Sequence, residues 1–180
     1  MNPGATHPRD QPRALLLAAE AFDLWQAERL SEAEPRYVEA LAHADPADYR
    51  TPDIHGQYAG LLTRLHRLAD AGQQYERALQ LELQNQGEDE RHPAVVAARY
   101  VLGEHYLHMG EPDSARRVVA PSLASAEKPL GWIVEAEALL QSGSTSGALA
   151  AAERAMSLSL SDEQRERIRA RFAELWPGPR

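Results

Sequence analysis

His105 and His108 stand three residues apart, with Glu104 before the first and Glu111 beyond the second. On a helix, residues at that spacing share a face, and imidazoles with neighbouring carboxylates are what a transition metal needs. A zinc-peptidase site, however, requires His-Glu-x-x-His, with a glutamate after the first histidine and the second histidine four residues on. Here Glu104 precedes His105, and the pair is expected on a solvated helix face. The remaining histidines are isolated or lie in connections. There is no cysteine, which removes disulfides, thiolate nucleophiles and cysteine zinc sites. Ser31, Ser144 and Ser161 fall where helices begin, and no Gly-x-Ser-x-Gly, P-loop or glycine-rich dinucleotide pattern occurs. Glu88-Asp89-Glu90 lies in a polar connection and reads as solvated charge. The expectation is a chain with no catalytic residue, no metal and no cofactor.

Composition narrows the class further. The chain has 180 residues, 43% of them apolar, enough for one folded domain or a short array of repeats. A formal net charge of -8 argues against nucleic acid or an anionic membrane as partner, because phosphate binding needs clustered lysine and arginine. Met1 to Gln11 is polar and is expected to be a disordered arm. No run approaches the roughly 20 apolar residues of a membrane span, and a cytoplasmic protein is expected.

The elements that carry these residues are helices. Valine and isoleucine are sparse, and apolar residues recur every three or four positions. The pattern predicts helices from Pro12 to Glu28, from Ser31 to Ala44, from Thr51 to about 65, and from Ala69 to Gln84. Further helices are predicted over 93–109, 112–126, 130–142, 145–159 and 161–176. Ser31-Glu32-Ala33-Glu34 and Ser161-x-x-Gln164 read as capping boxes, and Thr51-Pro52 as a cap. Ser142-Gly143-Ser144-Thr145 reads as a stop followed by a start. Pro12, Pro52, Pro93 and Pro129 each stand at or near the start of the first helix of a pair, where a missing N–H costs nothing.

The pairs are related to one another. A small residue near the start of each second helix recurs at Ala33, Ala71, Ala115 and Ala148, with the middle step the longest. Four positions later come Tyr37, Tyr75, Val119 and Ala152; three beyond those, Ala40, Ala78, Ser122 and Ala155. The fullest copy is Leu102-Gly103-x-x-Tyr106, then Gly110, Ala115 and Val119. Gly103 and Ala115 are small where two helices would approach; Leu102, Tyr106 and Val119 are large where a gap would need filling.

These residues resemble the tetratricopeptide repeat, whose unit of about 34 residues is close to the step from Ala115 to Ala148. Glu32-Ala33-Glu34-Pro35-x-Tyr37-x-x-Ala40-Leu41 and Tyr75-Glu76-Arg77-Ala78-Leu79 are similar to the kinesin-light-chain type of repeat. So are Gly87, His92-Pro93-x-Val95 and the longer middle step. The resemblance spans about residues 12–160. The first pair departs from it with Glu20 and Ala21 where Leu-Gly is usual. The fourth has Glu135-Ala136 there but keeps Trp132. It implies an all-α, right-handed superhelix of about four hairpins (12–44, 52–84, 93–126, 130–159) in a single domain over 12–177. The amphipathic 161–176 helix would be its solvating cap.

The resemblance also implies that the first helix of each pair lines a concave groove. With the helical spacing, it points to Phe22, Trp25 and Gln26, then Gly60, Thr63 and Arg64. The third pair adds Tyr100, Glu104, Leu107 and His108, and the fourth Ile133, Glu137 and Gln141. Phe22 and Trp25 have a second reading, as core residues of a helix shifted by one position. The asparagine and lysine clamp used by chaperone-tail binders is missing, since the only asparagines are Asn2 and Asn85 and the only lysine is Lys128. Gly60, Glu104 and Glu137 stand where kinesin-light-chain grooves resemble asparagine ladders. The expected function is a noncatalytic scaffold or adaptor that binds another protein's peptide or helix. The alternatives are a peptide-responsive sensor and an assembly subunit using its outer face or ends. No pattern indicates a homo-oligomer.

Overall fold

A computed structural model describes residues 9–124 and 129–176. These form nine α-helices and one 3-10 turn, with no strand among the described residues. Contacts divide the chain into two compact units, one ending at Glu88 and the other starting at Asp89. Most of the arm expected over 1–11, and the Ser125–Ala126 end expected for the sixth helix, lie outside the described residues.

The first unit holds α1 (Gln11–Gln26), α2 (Leu30–His43), α3 (Thr51–Arg64) and α4 (Leu68–Asn85). α1 pairs with α2 and α3 with α4, while α2 packs on α3. Ala14, Ala21, Ala33, Ala40, Ala59 and Ala71 are completely buried, which lets the helices approach closely. Tyr37 fills the space between hairpins, its ring stacked on Tyr58 with centroids 5.7 Å apart.

The second unit holds α5 (Pro93–His108), α6 (Pro112–Leu123), α7 (Leu130–Gln141), α8 (Thr145–Ser157) and α9 (Asp162–Arg171). A 3-10 turn, Ala173–Leu175, follows α9. α5 and α6 form one hairpin, α7 and α8 the next; α7 packs on both α5 and α6, and α9 on α8. The buried residues of α8 are all small, Ala148, Ala151, Ala152 and Ala155, with Leu149 and Met156 packed half-buried beside them. The missing bulk comes from Ile168, Phe172 and Leu175, which join the same cluster. The last helix thus ends at Arg171, short of the expected end at Trp176, yet the 3-10 turn still carries Leu175 inward.

The hairpin turns share one geometry. Glu28, His66, Gly110 and Gly143 all have left-handed φ, between 58° and 79°. In each, the next residue's N–H reaches back five positions: Arg29 to Leu24, Arg67 to Leu62, Glu111 to Tyr106 and Ser144 to Leu139. That is the Schellman closure, which satisfies the last carbonyls of the first helix. The turn tips keep the register of the small-residue repeat, each standing five positions ahead of Ala33, Ala71, Ala115 or Ala148.

Several expected caps form differently. α2 begins at Leu30 with Arg29 at its N-cap, so Ser31 lies inside the first turn and caps nothing. The left-handed turn at Glu28 restarts the helix before the serine, and Glu34 instead accepts from the Tyr58 hydroxyl at 3.2 Å. Thr51 is the first residue of α3, and its hydroxyl donates to the Asp45 carbonyl at 2.6 Å, pinning the preceding loop. Ser144 occupies the N-cap of α8 without a side-chain bond. Ser161 does cap α9, accepting from the Gln164 N–H, while the Gln164 amide accepts from the Leu160 N–H. Asn85 is the last residue of α4 rather than part of a loop.

Candidate interaction surface

In the second unit, α5, α7 and α9 bring polar residues onto one shared face. Glu104 of α5 and Glu137 of α7 both meet the guanidinium of Arg171, at the end of α9. Arg171 Nη2 lies 2.9 and 3.1 Å from the two Glu104 oxygens, and Nε lies 3.4 Å from Glu137 Oε2. The three side chains are 32%, 25% and 33% exposed, so water screens the contact only in part. Burial is the largest single influence and works against the Arg171 charge, but the Glu104 hydrogen bond and the charges of Glu104, Tyr100 and Glu137 together hold the pKa above its usual value. Tyr100 lies beside this contact; burial, with the Glu104 charge added, pushes its phenol up. The Arg171 guanidinium also sits over the Phe172 ring, 5.7 Å from its centroid.

The other expected groove residues of this unit divide. Leu107 is buried with Ala115, Val119, Val134 and Ala138, so it belongs to the core rather than the surface. It lies about one turn beyond Glu104, at a level where Val134 and Ala138 of α7 join the same buried cluster. Ile133 is half-buried against the α8 core. His108 is exposed, and the Gln141 amide donates to the Leu107 carbonyl at 3.4 Å. His105, expected on a solvated face, is buried, its ring centroid 6.1 Å from that of Tyr106. The two histidines thus face different environments, and no group of three potential metal ligands converges among the described residues.

In the first unit, Trp25 is half-buried against the core and its indole edge covers Gly60. Phe22 stays 38% exposed and meets the Trp25 ring edge-on at 5.9 Å. The tryptophan therefore leans to the core reading and the phenylalanine to the surface one. Gln26 is exposed. The Thr63 hydroxyl is turned back to the Ala59 carbonyl. Arg64 is engaged by both oxygens of Glu28 at 3.0 Å, so its charge is matched within the chain.

Two residues escaped the sequence reading. Arg171 follows Ile168 by three and precedes Phe172, which places it on the edge of the buried stripe; that position was the available signal. Arg99 is buried on α5, where it holds both oxygens of Glu90 and donates to the Val118 carbonyl at 2.8 Å. Glu90, read as solvated charge, is instead the anchor of the connection entering α5. No helix among the described residues is long and apolar enough to cross a membrane.

Residues 50–128 match the tetratricopeptide-repeat family. That matched segment, from α3 into the residues after α6, is the part of the chain similar to the family in sequence. It is similar to the structure of a putative kinesin light chain with nearly identical TPR-like repeats from Podosopora anserina, at 15% identity and a TM-score of 0.72. That match covers 92% of this chain and 86% of the other. BtubC (BKLC) from P. vanneervenii is similar at 18% identity and TM-score 0.65, over 91% of this chain and 82% of its own. MamA from Desulfovibrio magneticus RS-1 is similar at 16% identity and TM-score 0.62, over 91% and 93%. At these identities the likeness is one of fold. No curated protein matches the sequence. Tetratricopeptide repeats are protein-interaction modules, and the hairpins, turn closures and small-residue contacts described above are the means by which such repeats stack.

Proposed function

We propose that this chain is a noncatalytic interaction module that captures a segment of another protein on the face shared by α5, α7 and α9. The observation that carries this reading is the convergence of Glu104 and Glu137, from successive first helices, on a single guanidinium. These two side chains, from different hairpins, turn towards one point beside Tyr100. A peptide or helix laid across the face would meet carboxylates flanked by an aromatic ring, a composition suited to binding hot spots. The net charge of -8 favours a basic partner segment and disfavours nucleic acid.

The test is affinity capture from the native cell with two baits, the natural chain and the Glu104→Gln/Glu137→Gln double variant. Circular dichroism should show equal helicity in both. Loss of specific partners from the variant bait supports the reading; an identical captured set would overturn it.

A further inference from the structure

We infer that the notch formed by Glu104 and Glu137 takes an arginine side chain of the partner, and that Arg171 is its resident occupant, displaced on binding. This rests on the reading that the α5, α7 and α9 face is the one that binds.

The notch discriminates by shape as well as charge. Arg171 uses different nitrogens for the two carboxylates, Nη2 for Glu104 and Nε for Glu137. A planar guanidinium can present separate nitrogens to two helices at once; a lysine ammonium is a single point of charge and cannot. Two carboxylates against one arginine leave one negative charge unbalanced, so a second cationic group is drawn to the site.

Arg171 is also placed to leave. The other arginines of α9 pair within their own helix: Arg165 with Asp162, Arg167 with Glu163 and Arg169 with Glu166. Arg171 has Arg167 and Ile168 at the corresponding positions, so the acids it meets lie across the face on α5 and α7. What holds α9 to its unit is the burial of Ile168, Phe172 and Leu175, not this ion pair. The side chain stands on the last residue of the helix and can swing out while the apolar anchor stays in place. The chain thus covers its own recognition site with the chemical group that the site recognises, and a partner arginine competes with it on equal chemical terms.

The experiment measures binding of an acetylated, amidated octapeptide of alternating arginine and alanine to the full chain, by fluorescence anisotropy at fixed ionic strength. The lysine–alanine octapeptide serves as the comparison. Arg171→Gln should bind the arginine peptide about tenfold more tightly than the natural chain, because the competing occupant is gone. Arg171→Lys, which keeps the charge and the helix, should also bind it more tightly than the natural chain. Glu104→Gln/Glu137→Gln should lose the binding, and the lysine peptide should bind Arg171→Gln at least several-fold more weakly. Equal affinity of the natural chain and both Arg171 variants, or equal affinity for the two peptides, would overturn the inference. Partner capture that depends on Glu104 and Glu137, with peptide affinity unchanged by Arg171→Gln, would keep the proposed function and discard the displacement.

Discussion

Gly103 and Val134 meet with no space for a methyl group between them. A Cβ on Gly103 would stand 2.9 Å from Val134 Cγ1 and 3.1 Å from Val119 Cγ1. Both valines are completely buried, and β-branched side chains have few rotamers into which to retreat. This contact sets how closely α7 lies on α5, and so where Glu137 stands relative to Glu104.

Gly103→Ala should therefore destabilise the chain, although alanine is the better helix former. Overpacking costs about 1–3 kcal/mol, against about 1 kcal/mol gained in helix propensity. Gly56, inside α3, has nothing within 4 Å of its would-be Cβ. Gly56→Ala should stabilise by up to about 1 kcal/mol. Urea unfolding of both variants checks the opposite signs; stabilisation by Gly103→Ala would refute the contact.

The turn tips allow a second paired comparison. His66 holds a φ of 58° that glycine adopts freely, whereas Gly110 at the equivalent tip has a φ of 72°. His66→Gly should stabilise by about 1 kcal/mol, and Gly110→Ala should destabilise by about the same. Thermal unfolding midpoints moving in opposite directions are the expected result.

Arg99 is the buried charge on which the entry to α5 depends. Arg99→Met should cost about 3 kcal/mol, because it removes a buried charged donor from the Val118 carbonyl and leaves Glu90 without its cation. Glu90 is 43% exposed, and Glu90→Gln should cost only about 1 kcal/mol. Amide exchange should show faster opening around 89–92 in the Arg99 variant, and slow exchange there would contradict the anchor.

Alkaline stability should reflect the packed tyrosine of the first unit. Burial pushes the Tyr37 phenol up to about 12. In the unfolded chain the same phenol ionises near pH 10. Below that value both states keep the proton and the group has no pH-dependent effect. As pH rises from about 10 to about 12, the unfolded chain releases a proton that the folded one retains, so stability falls. Tyr37→Phe should remove that part of the fall, as read from urea midpoints near pH 9 and near pH 11.

Much of the fold was legible because its signals are local. Helical period, small residues where axes approach and proline in first turns act over a few positions each. The unequal repeat read from Ala33, Ala71, Ala115 and Ala148 returns in the structure as the spacing of the left-handed turn tips. The caps were less legible, because a serine before a helical run can cap only if the chain enters the helix there. At Ser31 the turn residue Glu28 had already restarted the helix.

The candidate site was half legible. Glu104 and Glu137 lie off the core stripes of their helices, which hydrophobic spacing alone can indicate. Leu107 shares that part of α5 but is buried, because its facing is set by where Val134 and Ala138 arrive, and no local pattern encodes that. Arg171 is 67 residues from Glu104. Its side chain reaches α5 only because two hairpins and a terminal helix stack with particular offsets. From its residues alone, the chain specifies helices, their pairing and the volumes at their contacts, since each depends on neighbours one or two turns away. The meeting of Arg171 with Glu104 and Glu137 comes from the stacking, because long-range packing sets the angle at which each helix presents its outer residues.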